Sequence, residues 1–210
     1  MQSDRPATGE RLNHGAPSTP RQAATVIALR DGDDGLELLL VRRNPQQRFM
    51  GGYWVFPGGA VDAGDGDGND AHRAAAVREL QEEAGIAGVD AAELVSYSRW
   101  ITPELIKLRF DTRFFVVRVP AGARAVADGV ECVDERWTSP AAALAAHAAG
   151  DLPLVFPTFR HLQELAAFDT VDELLAHARA RTIAPVLPRV VLDEQGARAV
   201  LPGEPGYDAG

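Results

Sequence analysis

Residues 78–86 read Arg-Glu-Leu-Gln-Glu-Glu-Ala-Gly-Ile and set three carboxylates, Glu79, Glu82 and Glu83, within five positions of one another. On a helix, side chains three and four residues apart are neighbours, so all three fall along one face, where like charges repel unless a cation lies among them. A hard divalent metal is the natural cation. Oxygen donors suit Mg²⁺ or Mn²⁺, and Mg²⁺ in particular is commonly shared between a few carboxylates and a substrate phosphate.

The helix that would carry them is well delimited. Asp70 can cap its start, residues 71–84 are mostly strong helix formers, and Gly85 falls where a left-handed residue is wanted at the end. Opposite the glutamates, Ala76, Val77, Leu80 and Ala84 offer an apolar stripe for docking on a sheet. Upstream, Pro57-Gly58-Gly59 follows the apolar run Tyr53-Trp54-Val55-Phe56 and gives a loop whose backbone can approach a ligand closely.

Gly59 with its loop, followed by Arg78-Glu79-Leu80-Gln81-Glu82-Glu83-Ala84-Gly85-Ile86, resembles the signature of the Nudix hydrolases. The downstream half matches at every fixed position. In the upstream half, counting forward from Gly59 to the first acidic position of the signature reaches Asp65, whereas counting back from Arg78 reaches Asp70. The loop therefore carries about five extra residues, with an aspartate in place of the usual glutamate in either register. A narrower likeness covers residues 39–59: Leu39-Leu40, Arg43, Arg48, Gly52 and Phe56-Pro57-Gly58-Gly59 fall on the spacings of the motif that marks coenzyme A diphosphatases in this superfamily, with departures at Val41 and Asn44. Trp100-Ile101-Thr102-Pro103 and residues 109–115 are similar to a coenzyme A diphosphatase branch with an enlarged loop inside its signature.

The resemblance implies an α/β fold, the Nudix-type α/β/α sandwich with a mixed sheet, and local patterning agrees. Residues 23–29 and 36–41 read as a strand hairpin over residues 31–35; 94–101, 108–119 and 131–137 add three more strands. Ser139-Pro140 opens a helix ended by Gly150, and two more helices are expected at 158–167 and 171–181. Strands punctuated by helices suggest a sheet packed between helical layers. Three segments follow: a disordered arm at 1–21, the catalytic domain at 22–182, and at 183–210 a hairpin over Asp193-Glu194-Gln195-Gly196 with a proline-rich tail. That last segment either folds on the main domain or meets a second subunit, which leaves a homodimer open.

At 210 residues and 46% hydrophobic composition, the chain suits one domain with a full core. A net charge of −9 argues against nucleic-acid polymers and anionic membranes as partners, so a polyanionic substrate must rely on local arginines and metal. The lone Cys132 lies in an apolar strand pattern and reads as a small packed side chain in a reducing, cytoplasmic setting; residues 1–20 lack the apolar core of a secretory leader. His72, His147, His161 and His177 lie on expected helices without partner spacing and read as structural. Phe49, Tyr53 and Trp54 could stack on a base, although aromatics in such a strand are more often core.

The expected reaction is metal-assisted hydrolysis of a diphosphate linked to a larger organic moiety, with coenzyme A or acyl-coenzyme A the leading small-molecule substrate. The expected metal ligands are Glu79, Glu82 and Glu83. Arg78 positions them as the resemblance implies, Glu82, Glu131 or Glu135 serves as general base, and Arg43, Arg48, Gly58 and Gly59 hold substrate. ADP-ribose or another nucleotide diphosphate is the alternative within the class; a nucleotide-binding Nudix sensor without turnover is the alternative outside it.

Overall fold

A computed structural model describes residues 10–193 and 196–209. The sheet is built around β1 (Arg21–Gly32), which runs parallel to β6 (Phe110–Arg118) along its whole register from Arg21 to Leu29. On its other edge β1 changes partner. Residues from Leu29 to Gly32 pair with β2 (Gly35–Arg43), whereas Ala23, Ala24 and Thr25 pair with β4 (Gly58–Ala60). Beyond Leu38, β2 takes β3 (Trp54–Val55) on the edge that β1 has left and β7 (Cys132–Thr138) on its other edge. The two central strands therefore splay apart, and the segment from Trp54 to Ala60 is wedged into the gap with Pro57-Gly58-Gly59 at its centre. Beyond β6 lie β5 (Val95–Ile101), antiparallel, and β8 (Pro185–Val186), parallel to β5. Parallel and antiparallel pairs together make the mixed sheet expected.

Each face of this sheet is covered by helix. Alternate β1 residues Ala24, Val26 and Ala28 join Ala75, Ala76, Leu80 and Ala84 of α1 (Gly68–Ala84) in one core layer. Ile27 and Leu29 point the other way, toward α2 (Pro140–Ala149), α3 (Phe156–Leu165) and α4 (Val171–Ala180). The period-two alternation of β1, apolar on both faces, is what a strand covered on both sides requires. α4 begins with a reciprocal cap between Thr170 and Glu173, and α2 with Ser139 accepting from Ala142 N and Pro140 in the first turn. Cys132 is fully buried, as a small packed side chain should be. No helix is long and apolar enough to cross a membrane among the described residues.

The structure differs from the sequence reading at both ends and at the start of α1. Residues 11–18, expected within a disordered arm, run along the loop before β6: Leu12 bridges Ile106, Asn13 N donates to Leu105 O at 2.7 Å, and the Arg109 guanidinium donates to Ser18 O at 2.8 Å. The sequence cue was composition alone, which cannot register a docking loop elsewhere in the chain. The part of the expected arm at 1–9 lies outside the described residues. Asp70 does not cap α1; Asp67 holds the N-cap position, and Asp70 is exposed in the first turn. The C-terminal hairpin is present as β9 (Arg189–Asp193) and β10 (Gly196–Val200), while Glu194 and Gln195 of its expected turn lie outside the described residues.

His161 is structural. Its ring stacks on Phe114 at 4.3 Å between centroids, Nδ1 meets Pro157 O at 2.7 Å and Nε2 meets the Ser98 hydroxyl at 2.6 Å. Burial pushes its pKa down to about 4 from 6.5. Because the folded value is depressed, the unfolded chain binds the proton first as pH falls, and stability declines from pH 6.5 toward 4. Between pH 7.5 and 5 the wild type should lose about 2 kcal/mol of unfolding free energy from this group. Urea titrations at the two pH values should show that loss reduced by about the same amount in His161→Gln, whatever the variant's overall stability.

Candidate active site

The wedge and α1 are fastened to each other. Gly58 N donates to Glu83 Oε2 at 2.9 Å, and Glu83 is only 3% exposed. A β-carbon at position 58 would stand 2.5 Å from Ala24 O and 2.7 Å from Thr25 Cα, both backbone atoms that cannot yield. At position 59 it would fall on the Glu79 carboxylate. The two glycines are thus required by the close approach of β1 and of the α1 glutamates, which is why Pro-Gly-Gly and the helix motif occur together.

Arg78 is the hub. Its Nε and Nη2 donate to the two oxygens of Asp65 at 3.0 Å each, Nη2 also reaches Ala60 O at 3.0 Å, and Nη1 bridges Glu79 Oε1 at 2.8 Å and Glu82 Oε2 at 3.0 Å. The fork geometry of guanidinium suits this bidentate grip, and lysine could not reproduce it. The contact also resolves the register of the signature. Asp65, not Asp70, fills the first acidic position; its side chain is 5% exposed, and the Arg78 hydrogen bonds hold its carboxyl below the usual range. The surplus residues 66–70 become a short link and the first turn of α1, with Gly66 and Gly68 at φ 90° and 68°. The loop that carries the extra residues therefore also supplies one of the site's anchoring carboxylates, Asp65.

The three glutamates share a face but not an environment. Glu82 is 59% exposed on its side chain, Glu79 14% and Glu83 4%. Burial pushes the Glu79 carboxyl up, against the pull of Arg78, and pushes Glu83 up to about 7, against Gly58 N–H and Arg43. Glu131 adds repulsion at both. Arg43, at the end of β2, approaches Glu83 Oε1 at 3.5 Å. Among the described residues no three acidic, His or Cys side chains converge as they stand into a metal-holding group; Arg78 contacts Glu79 and Glu82, and Arg43 approaches Glu83. The donor chemistry nonetheless fits a hard cation: oxygen ligands only, two of them buried carboxyls whose charged form burial disfavours and a cation would favour, and the third exposed on a long side chain.

A cavity of about 560 Å³ opens beside these groups. Glu79, Glu82, Glu131, Arg43 and the Gly58-Gly59 backbone border it. Glu135, by contrast, turns away and accepts from Ala127 N at 2.9 Å, bracing the preceding loop. Arg48 is exposed in the turn after β2 and does not line the cavity. Phe49 does, tilted against Phe110 at 6.0 Å, whereas Trp54 is core. His72 is buried and engaged with Gly68 O and Gln22, and His147 with Leu152 O. Sequence reasoning did not find that Pro188, Val190 and Ala199, from the C-terminal segment, also border the cavity. Nothing in their local pattern says where a terminal hairpin docks.

The family model of the NUDIX domain matches residues 19–159, which contain Arg43, Arg48, Arg78, Glu79, Glu82, Glu83, Glu131 and Glu135. The chain belongs to the Nudix family. It is a Nudix hydrolase, one of the enzymes that cleave phosphorus anhydrides, and acts on nucleoside diphosphate derivatives. Human acyl-coenzyme A diphosphatase NUDT19 is 24% identical across 83% of this chain and 73% of that protein. A putative 8-oxo-dGTP diphosphatase of Bacillus subtilis is 32% identical across 57% of this chain and 66% of that protein. Among solved structures, a NUDIX hydrolase from Alicyclobacillus acidocaldarius superposes with a TM-score of 0.67 at 27% identity, covering 76% of this chain and 96% of its own. The NUDIX domain of Shewanella oneidensis NrtR, solved with ADP ribose, shares the fold at a TM-score of 0.54 and 15% identity, covering 70% of this chain and 86% of its own.

Proposed function

We propose that this Nudix hydrolase is a Mg²⁺- or Mn²⁺-dependent diphosphatase of coenzyme A and acyl-coenzyme A, releasing 3′,5′-ADP and a 4′-phosphopantetheine species. The observation that carries the reading is the single cavity in which the α1 carboxylates and Arg43 adjoin a large apolar wall. A diphosphate bonded to a long, mostly uncharged arm matches that division. The likeness to the human acyl-coenzyme A diphosphatase and the spacing of Arg43 and Arg48 before Phe56-Pro57-Gly58-Gly59 point the same way.

Glu79, Glu82 and Glu83 would hold the metal, which when bound neutralises charge on the diphosphate and acidifies the attacking water. Arg78 keeps Glu79 and Glu82 in place and is itself fixed by Asp65 and Ala60 O. Arg43 faces the cavity beside Glu83 and offers its remaining N–H groups to a phosphate oxygen. Glu131, exposed and at the cavity edge, is the group placed to accept a proton from water; Glu82 is the second choice, and Glu135 is occupied by Ala127 N. The Gly58-Gly59 backbone borders the cavity and lets β1 and Glu79 pack close against it.

A panel of coenzyme A, acyl-coenzyme A, ADP-ribose and dinucleotide polyphosphates, with products read by mass, tests the substrate. A wide preference for ADP-ribose would replace the coenzyme A reading; binding without turnover of any of them would favour a sensor. Arg48 lies outside the cavity but next to its lining residue Phe49, where the 3′-phosphate of coenzyme A would extend past the cavity mouth, so Arg48→Ala should cost about ten- to hundredfold in kcat/KM for coenzyme A and much less for the 3′-dephospho substrate. Arg43→Ala should impair both substrates, because it also strips Glu83 of its cation. Equal losses on the two substrates in Arg48→Ala would remove that residue from substrate recognition.

A further inference from the structure

The segment after α4 lies outside residues 19–159 matched by the NUDIX model, yet it is built into the cavity. β8 adds to the sheet beside β5, pairing Pro185 with Arg99 and Val186 with Trp100, so the chain enters the hairpin from beside the strand that carries cavity residue Trp100. At its far end, Val200 is fully buried, Leu201 packs on the core layer containing Trp100 and Phe114, and Glu204 ties back to Arg160 of α3 at 2.5 Å and to Leu201 N at 2.9 Å. The Tyr207 hydroxyl donates to Leu187 O at 2.9 Å, and Arg189 donates to Tyr207 O at 2.7 Å. Anchored at both ends, the hairpin presents Val190 and Ala199 to the cavity.

The cavity's composition is lopsided. Its charged groups are Arg78, Glu79 and Glu82 of α1, Arg43 of β2, Glu131 just before β7, Asp62 after β4, Glu10 at the start of the described chain and Arg21 at the start of β1, whereas the wall between β5, β6, the start of α3 and the hairpin is mostly aromatic and aliphatic, with Thr102, Thr112 and Thr158 on it. Among the described lining residues there is no Asn, Gln, His, Ser or Lys. The polar side chains on that wall are the Thr102, Thr112 and Thr158 hydroxyls, spaced among Trp100, Ile101, Phe110 and Phe114, and an alkyl chain needs no polar partner at all. A volume of about 560 Å³ exceeds what a diphosphate alone would fill and lies within the range of pockets that enclose a drug-sized ligand.

We propose that the C-terminal hairpin is the specificity element of this enzyme: Val190 and Ala199 close the apolar end of the cavity and set the length of the apolar group, alkyl or acyl, that a diphosphate substrate carries there. The proposal rests on reading the cavity as the substrate site of a diphosphatase. It needs neither coenzyme A as the natural substrate nor turnover for its test.

The test is calorimetric titration of the full chain with a non-hydrolysable series, the methylene-bridged ADP analogue esterified with methyl, hexyl or dodecyl alcohol, in the presence of Mg²⁺. Burying several methylenes should tighten hexyl over methyl at least about tenfold, with the gain flattening toward dodecyl as the chain meets the hairpin. Ala199→Leu should move the optimum to shorter chains and Val190→Ala to longer ones, with methyl-ester affinity within about threefold of wild type in both. Opposite shifts cannot come from general damage to the fold. A flat wild-type series, or an optimum that neither variant moves, would overturn the proposal even if coenzyme A is hydrolysed. Length preference that shifts with the variants, in an enzyme that fails to cleave coenzyme A, would uphold the hairpin's role and reject the coenzyme A reading.

Discussion

Glu83→Gln is expected to lower kcat by about two orders of magnitude or more while leaving the fold intact. Glutamine keeps the acceptor oxygen for Gly58 N–H at a position that is 3% exposed, so the wedge stays fastened to α1. What it loses is the carboxylate, and with it the proposed hard-cation ligand. Glu82→Gln should be as damaging to turnover and even gentler on stability, since its side chain is 59% exposed and meets only Arg78. Thermal melts beside steady-state rates separate the two effects. Near wild-type turnover in either variant would remove that carboxylate from the reaction.

The second large effect is at Arg78. Arg78→Ala abandons Asp65 and Glu79, whose side chains are 5% and 14% exposed, and should cost about 2 kcal/mol of stability as well as at least about a hundredfold in kcat. Arg78→Lys keeps a positive charge but cannot span Asp65, Ala60 O and the two glutamates together. It should recover most of the stability and little of the rate. A lysine variant with wild-type kcat would mean that charge alone, not the fork that orients Glu79 and Glu82, is what the site uses.

These expectations rest on residues that were legible before any coordinates, because the relevant spacing is local. Glu79, Glu82 and Glu83 lie within one stretch of helix, and a helix fixes the relation of residues three and four apart. The alternation in β1 and β2 and the Ser139-Pro140 helix start were legible for the same reason. What depended on long-range packing was not. The wedge between β1 and β2 depends on β1 exchanging one partner for another midway, which no periodicity records. Asp65 and Asp70 are both acidic and both at plausible distances; only the fold brings one of them onto Arg78. Residues 11–18 look like a polar tail until the loop at 102–109 offers backbone groups to pair with. The hairpin's own pattern was readable, but its place over the cavity depends on β8 joining the sheet through only two residues.

The α1 glutamates are proposed to work through a divalent metal to hydrolyse a nucleoside diphosphate derivative. The direct measurement is the mass of products from coenzyme A and ADP-ribose incubated with rigorously chelated enzyme, before and after Mg²⁺ or Mn²⁺ is restored, for wild type and Glu83→Gln side by side. Metal-dependent chemistry at these glutamates gives no cleavage under chelation, cleavage at the diphosphate on restoring metal, and at least about a hundredfold less with Glu83→Gln. Full activity in the chelated enzyme, or equal metal-dependent rates in the two proteins, would contradict it.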